Sequence, residues 1–361
     1  MTAATWEPAG PPAPFDRTPH LVCLLAETER LSAVIERGEP APAVRESLTA
    51  RAAVASMRLD GSPVGDVTEA EDAWQDVSDL PAAPRAEVAT RVGTWLDALR
   101  AGSEPDRRLI GSEYGGVRAA LAADDLTRPL TTDPLAALSE LHRRLTRGLL
   151  DPAAAGRPRK THQAVHDASV GRVVYYPSEP EQILDRLVDL AAWLRSSVGR
   201  EHGLIVSGVA HQVLLEVHPF EAANGRLARA AARLLLRVHG LDPAGVGSVE
   251  IALERDPLGY YREVAKTMRR RDLTIWLERW GEAVAEGLRL AAHELHLLHP
   301  TVPARARRFL EGRGEPVFTI ADYRAEVGTV APEARADLAA LLDAGRVRRV
   351  PSARGLRFTV T

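Results

Sequence analysis

The chain has 361 residues, 45% hydrophobic and 26% charged, with a formal net charge of -3 and one cysteine, Cys23. That length suggests roughly two or three domains, with enough apolar material for ordinary cores. The single thiol excludes a disulfide framework and a cysteine-based zinc site, and the near-neutral balance gives no global pull toward nucleic acid or an anionic membrane.

The opening segment, MTAATWEPAGPPAPF, lacks a basic stretch followed by an apolar run, so it does not read as a secretory signal. The uncharged stretch His202 to Leu215 is too short for a membrane span and is interrupted by His211 and Gln212. A cytoplasmic protein with no membrane partner is the expectation. Few aromatics (5%) and many Ala, Leu and Arg residues favour helices over sheets.

Residues 1–18 are rich in Pro, Ala and Gly and read as an extended arm. Helical spacing begins near Pro19, with Leu21, Leu24, Leu25, Leu31, Val34 and Ile35 on one side. A second helix is predicted over Pro42 to Met57, stopping at Asp60-Gly61, where a glycine suits a helix C-terminus. Further helices are predicted over Glu71 to Val77, Pro84 to Arg100, Ser112 to Ala122 and Asp133 to Leu149, the last with Pro134 in its first turn. The helical run breaks between Asp151 and Glu181. There the patch Val173-Val174-Tyr175-Tyr176 reads as a short hairpin or flap, because Val and Tyr prefer extended backbone. Helices resume over Glu181 to Ser197, Leu204 to Val217, Asn224 to His239, Asp256 to Arg269 and Thr274 to Leu298.

Composition shifts near His299-Pro300. Residues 301–361 hold eleven Arg and seven acids, a balance of +4, against -7 for the rest. Helix, a short strand at Val317 to Thr319, two helices and two strands (Val347 to Val350, Leu356 to Thr361) outline a winged helix-turn-helix. Its arginines suit DNA phosphates; a protein-docking or dimerising module is the other reading. The expected domains are thus an arm (1–18), an N-terminal helical region (19–105), a central core (106–298) and the winged-helix-like module (299–361).

The stretch Val217-His218-Pro219-Phe220-Glu221-Ala222-Ala223-Asn224-Gly225-Arg226-Leu227-Ala228-Arg229 joins two apolar helices. Asn224 and Gly225 open the second. Free N–H groups at a helix start attract an anion, and glycine lets a phosphate approach closely. Arg226 and Arg229, three apart, share a face and can grip one polyphosphate. His218 carries the side chain whose unperturbed pKa lies near neutrality, which suits a general base. Singly, a His before Pro is a loop residue and an Arg pair a solvated face. Together they suit attack by a hydroxyl on a nucleotide phosphate.

These residues, HPFEAANGRLAR, resemble the signature of the Fic family, HPFx(D/E)GN(G/K)RxxR. The likeness runs over about residues 110 to 285 and includes a flap at Val170 to Pro180, His211 to Glu216, Tyr260-Tyr261 and Thr274-Ile275-Trp276. It implies a mainly α fold: a Fic-type helical bundle with a β-hairpin flap. By resemblance, His218 deprotonates the target hydroxyl and Phe220 anchors the loop. Asn224 and Gly225 cradle the α- and β-phosphates of ATP, Arg226 contacts the β-phosphate side and Arg229 the γ-phosphate. Val173, Val174, Tyr175 and Tyr176 hold the target segment. The family's metal-holding acid falls on Ala222 and its glycine on Ala223; Glu221 is the neighbour that would stand in for the Mg²⁺ ligand.

Ser56-Met57-Arg58-Leu59-Asp60-Gly61 resembles the family's inhibitory motif (S/T)xxxE(G/N). The resemblance implies that Asp60 pairs with Arg229 and blocks the γ-phosphate clamp, with Ser56 and Gly61 completing the motif. The leading expectation is AMP transfer from ATP to a Ser, Thr or Tyr hydroxyl of another protein or of itself, with pairing of two copies a family habit. Its rivals are transfer of another phosphate-containing group and a weakly catalytic, nucleotide-sensing regulator that binds DNA through residues 301–361.

Overall fold

The computed structural model describes residues 12–78, 106–166, 173–298, 300–311, 313, 315–350 and 356–361. The chain divides into two compact units, 1–288 and 289–361.

In the first unit, α1 (Pro19–Arg37) begins where the Thr18 hydroxyl accepts from the Leu21 N–H and Pro19 occupies the first turn. Its Leu21, Leu24, Leu31 and Ile35 are buried at helical spacing. The alanine-rich α2 (Pro42–Leu59) is buried along its C-terminal half, from Leu48 to Leu59 with only Arg51 and Arg58 less covered. It stops at Asp60, and Gly61 takes the left-handed conformation at φ 85° that a helix stop favours. Small residues let the helix pack closely on its neighbours, with Asp60 at its C-cap.

Next come α3 (Val67–Ser78) and α4 (Arg107–Leu121). The helix expected over Pro84 to Arg100 lies outside the described residues. α4 starts five residues before the expected Ser112, capped by the Asp106 carboxylate on the Arg108 N–H. A short α5 (Pro129–Thr132) leads into α6 (Pro134–Leu145), which ends four residues before the expected Leu149; Thr146 to Leu149 form a turn instead.

The flap is a hairpin, as expected. β1 (Val165–His166) pairs antiparallel with β2 (Val173–Tyr175), Val165 opposite Tyr175, with an irregularity before His166. Then follow α7 (Ile183–Ser197), α8 (Gly203–Val217), α9 (Asn224–Val238), α10 (Val249–Glu254), α11 (Pro257–Arg270) and α12 (Thr274–Glu294). Helices α8 and α9 are buried over nearly their whole length and pack on each other. Beneath α8, His211 stacks on Trp276 at 5.0 Å and shares a 3.0 Å hydrogen bond with the Tyr260 hydroxyl. The turn joining α8 to α9 is therefore held between two fixed rods.

The second unit contains α13 (Ala304–Glu311), β3 (Val317–Thr319), α14 (Ile320–Val327), α15 (Ala331–Asp343), β4 (Val347–Val350) and β5 (Arg357–Val360), the element order read from the sequence. The sheet is antiparallel, ordered β3-β5-β4. Thr319 and Asp322 form a reciprocal capping box at the start of α14. Phe309, Phe318, Tyr323, Leu338, Leu341 and Phe358 build its core. The β4–β5 turn, Pro351 to Gly355, lies outside the described residues.

Candidate functional site

The α8–α9 turn is bracketed by two non-glycine residues in the left-handed region, His218 (φ 50°) and Ala223 (φ 59°). Left-handed backbone costs an L-residue, so such residues persist where their surroundings fix them. Three side chains do this. Asn224 closes the turn on itself: its amide nitrogen donates to the Phe220 carbonyl at 2.7 Å and its amide oxygen accepts from the Phe220 N–H at 2.9 Å. Phe220 is buried and stacks on His142 from α6 at 4.0 Å. His142 accepts from the Gly156 N–H at Nδ1 (2.8 Å), so its Nε2 carries the proton and donates to the Ala222 carbonyl at 3.1 Å.

Arg159 is the third. Its backbone N–H donates to the Pro219 carbonyl at 2.8 Å. Its guanidinium donates to the carbonyls of His218 (2.6 Å), Thr161 (2.5 Å), Ser178 (2.6 Å) and Val217 (3.3 Å). One buried cation thus joins the turn to the chain that follows the flap. No spacing rule ties residues 142 and 159 to residue 218, so sequence reasoning missed both.

Burial lowers the pKa of His218 to about 4; the Leu215 carbonyl, which favours the imidazolium, offsets only part of this, and the Arg159 charge adds to the lowering. The imidazole is neutral at pH 7 and able to accept a proton. The Tyr175 ring of β2 sits edge-on to it, 6.4 Å between centres.

Arg226 and Arg229 converge, and the group they converge on is Asp60 at the end of α2. Arg229, 1% exposed, donates to Asp60 Oδ1 at 2.8 Å, to the Ser56 hydroxyl at 2.8 Å and to the Ser56 carbonyl at 2.8 Å. Arg226 Nε lies 3.2 Å from Asp60 Oδ2. The Tyr261 hydroxyl donates to Asp60 Oδ1 at 3.1 Å and to the Leu59 carbonyl at 3.1 Å. Burial raises the pKa of Asp60, but the Arg229 and Arg226 charges together outweigh it, so the net shift is downward and the acid is ionised at neutral pH.

Asp60 also lies over the start of α9. A Cβ on Gly225 would come 2.7 Å from Asp60 Oδ1, so a larger residue here would push the carboxylate aside. No side chain caps α9. The carboxylate therefore rests where the helix dipole and the uncapped amides attract negative charge. A second acid, Glu113 of α4, missed in the sequence, holds the other arginine: Arg226 Nη1 is 2.6 Å from Glu113 Oε1, and the Ser62 hydroxyl donates to Glu113 Oε2 at 2.9 Å.

In the flap, Tyr176 (75% exposed) and Val173 (42%) face outward, whereas Tyr175 is buried beside His218. The Glu221 carboxylate accepts from the Lys160 N–H at 3.3 Å and the Thr161 hydroxyl at 2.8 Å. With Ala222 at the acid position, Glu221 so engaged and Asp60 and Glu113 on arginines, these residues do not fit a protein-held Mg²⁺. Among the described residues no group of three or more His, Cys, Asp or Glu side chains is placed to hold a metal ion.

Residues 130–236 match the Fic/DOC family. This segment is a Fic/DOC family domain. The Fic domain is similar to the protein adenylyltransferase fic-1 of Caenorhabditis elegans, 36% identical over 109 residues covering 29% of this chain and 19% of the relative. It is also similar to a uridine 5'-monophosphate transferase of Xanthomonas campestris, 39% identical over 75 residues, 19% of this chain and 14% of the relative. The chain thus spans about a fifth or less of the length of the curated relatives it matches. A Fic family protein from Desulfovibrio desulfuricans shares the fold over 98% of both chains, with a TM-score of 0.60 and 21% identity. A Fic-1 fragment of C. elegans shares it over 75% of this chain and 72% of its own, with a TM-score of 0.50 and 19% identity. No helix among the described residues is long and apolar enough to cross a membrane.

Proposed function

We propose that this Fic domain transfers AMP from ATP to a Ser, Thr or Tyr hydroxyl of a protein, and that Asp60 holds it in an inhibited state. The convergence of Arg226 and Arg229 on one carboxylate at an uncapped helix start carries the reading. An anion is already bound there, and it belongs to the chain itself. When α2 moves and Asp60 leaves, the same guanidinium groups and amides receive a triphosphate.

The reaction then needs a base and alignment. The target hydroxyl oxygen attacks the α-phosphorus in line, the bond to the bridging oxygen breaks, and pyrophosphate leaves with its electron pair. Neutral His218 accepts the hydroxyl proton. The Arg226 and Arg229 guanidinium groups stabilise charge gathering on the β- and γ-phosphates. Asn224 fixes the turn through its two bonds to Phe220, and its second amide N–H is left to face a phosphate. The outward Val173 and Tyr176 of the flap offer the target an extended strand, by which a protein partner or a second copy is held.

Asp60 and Ser56 form the inhibitory contact from two turns of α2, and Gly61 lets the chain leave the helix directly after the acid. The likeness to a uridine 5'-monophosphate transferase favours a second reading in which the base differs and the chemistry is the same. A third, a nucleotide-sensing regulator acting on DNA through a winged-helix-like second unit, is favoured by Ala222. The second unit's own Arg305 and Arg313 are drawn to Asp337 and Glu326, which reduces the basic surface it offers.

The test is incubation of wild-type protein and Asp60→Gly with α-labelled and γ-labelled ATP and UTP. The expected result is α-label on protein, from ATP, with Asp60→Gly exceeding wild type. Label from the γ-position alone would mean kinase chemistry. Nucleotide binding without label would support the regulator.

A further inference from the structure

The Fic reading makes Asp60 the brake, but Asp60 does not hold Arg226 alone. Glu113 is 4% exposed and sits on α4, an element separate from α2. One of its oxygens is 2.6 Å from Arg226 Nη1, the shorter of that arginine's two carboxylate contacts, and the other accepts from Ser62 at 2.9 Å. Ser62 follows Asp60 by two residues, and its N–H is tied to the Met57 carbonyl, so it moves with the end of α2.

The charges decide what this arrangement does. With both acids ionised, Asp60 and Glu113 balance the two positive charges of Arg226 and Arg229, and the cluster is neutral. Removing Asp60 alone leaves one net positive charge to meet a polyphosphate, with a carboxylate still against the first arginine. A buried charge is felt strongly because little water screens it. Burial raises the Glu113 pKa and Arg226 only partly offsets this, so the carboxylate is held at a cost that Arg226 alone does not cancel.

We infer that Glu113 is a second inhibitory acid: it occupies Arg226 as Asp60 occupies Arg229, and the phosphate site opens fully only when both guanidinium groups are released. This rests on the nucleotide-transfer reading above. The two arms are joined through Ser62. Withdrawal of the α2 end takes Asp60 off Arg229 and Ser62 off Glu113 together, and the unfastened Glu113 side chain can then yield Arg226 to the incoming phosphate. Inhibition is thereby stronger than one acid gives, and its release stays a single movement.

The experiment compares wild type, Asp60→Gly, Glu113→Gln and the double variant for ATP affinity by titration calorimetry, for ATP-induced thermal shift and for α-label transfer. Glutamine keeps the shape and the acceptor for Ser62. Glu113→Asp replaces it if the Gln protein does not fold, with a smaller gain in the same direction. The double variant is expected to bind ATP about tenfold more tightly than Asp60→Gly, with a larger thermal shift and more label. Affinity equal to or below that of Asp60→Gly would overturn the inference, since Glu113 would then serve to orient Arg226 for substrate. Gain from Glu113→Gln with none from Asp60→Gly would sink the Asp60 brake and keep the second acid. Folded variants that all fail to bind ATP would sink both.

Discussion

Replacing Arg159 by alanine removes the cation that fastens the α8–α9 turn to the chain after the flap. Its guanidinium serves four carbonyls, three of them at 2.5 to 2.6 Å. Each carbonyl stranded by the change costs about 1 kcal/mol, and water entering the vacated space recovers part of the loss, so the destabilisation is about 3 kcal/mol. In a unit of this size that lowers the melting temperature by about 6–10 °C. The chemical consequence is separate. The His218 carbonyl accepts from Arg159, and the same residue carries the proposed base, so without Arg159 the imidazole loses its fixed position. In the Asp60→Gly background, label transfer should fall about 100-fold, the scale expected when a reacting group drifts by an ångström. Arg159→Lys keeps the charge but reaches fewer carbonyls, and should lie between wild type and alanine in both measurements. Calorimetry and α-label transfer read the two effects. A melting temperature within 2 °C of wild type, with transfer unchanged, would refute the idea that Arg159 holds the turn.

Two further outcomes follow from the same turn. Ala223 sits at φ 59°, where glycine is unstrained and alanine is not. Ala223→Gly relieves about 1 kcal/mol of strain and loses part of that to unfolded-chain entropy, so the melting temperature should stay level or rise by about 1–2 °C; a fall would mean the strain is absent. Burial lowers the pKa of both His142 and His218 to about 4, from an ordinary value of 6.5. A neutral buried histidine stabilises the fold fully above pH 6.5, and that stability is lost as pH falls from 6.5 toward 4, because the unfolded chain binds the proton first. The upward-shifted Glu113, Asp242 and Glu250 act in the opposite sense. The clean measurement is therefore a difference: His142→Phe should lose less stability than wild type between pH 7 and pH 4.5, by a few kcal/mol in urea unfolding. Equal losses would show that His142 is not buried neutral.

Most of what was legible in the sequence was local. The α8–α9 turn, its arginines three apart and the helix on each side lie within one short stretch, so spacing alone located them. Asp60 was found through a six-residue resemblance that ends in a helix stop, and the coordinates place that acid on both arginines. Glu113, Arg159 and His142 were not legible, because each meets the turn from a distant part of the chain. Glu113 reads as an ordinary acid on a helix; only the arrival of Arg226 and Ser62 explains its burial. The early start of α4 was hidden by Gly111, which weakens a helical reading just before Ser112. It is there for close packing: a Cβ on Gly111 would lie 2.0 Å from the Ala73 carbonyl of α3. The six-residue α10 follows two glycines and is too short to leave a periodic pattern. Glu221 was expected at the metal because it neighbours the vacant acid position, and one residue of displacement in a tight turn was enough to send its carboxylate to Lys160 and Thr161.

The most direct trial of the proposed chemistry compares Asp60→Gly with Asp60→Gly/His218→Ala, measuring ATP affinity and α-label transfer on the same preparations. Both proteins should bind ATP with similar affinity, since the amides and arginines remain, and only the first should label protein. Equal labelling by the protein lacking the imidazole would contradict the role assigned to His218 and the nucleotidyl-transfer mechanism with it.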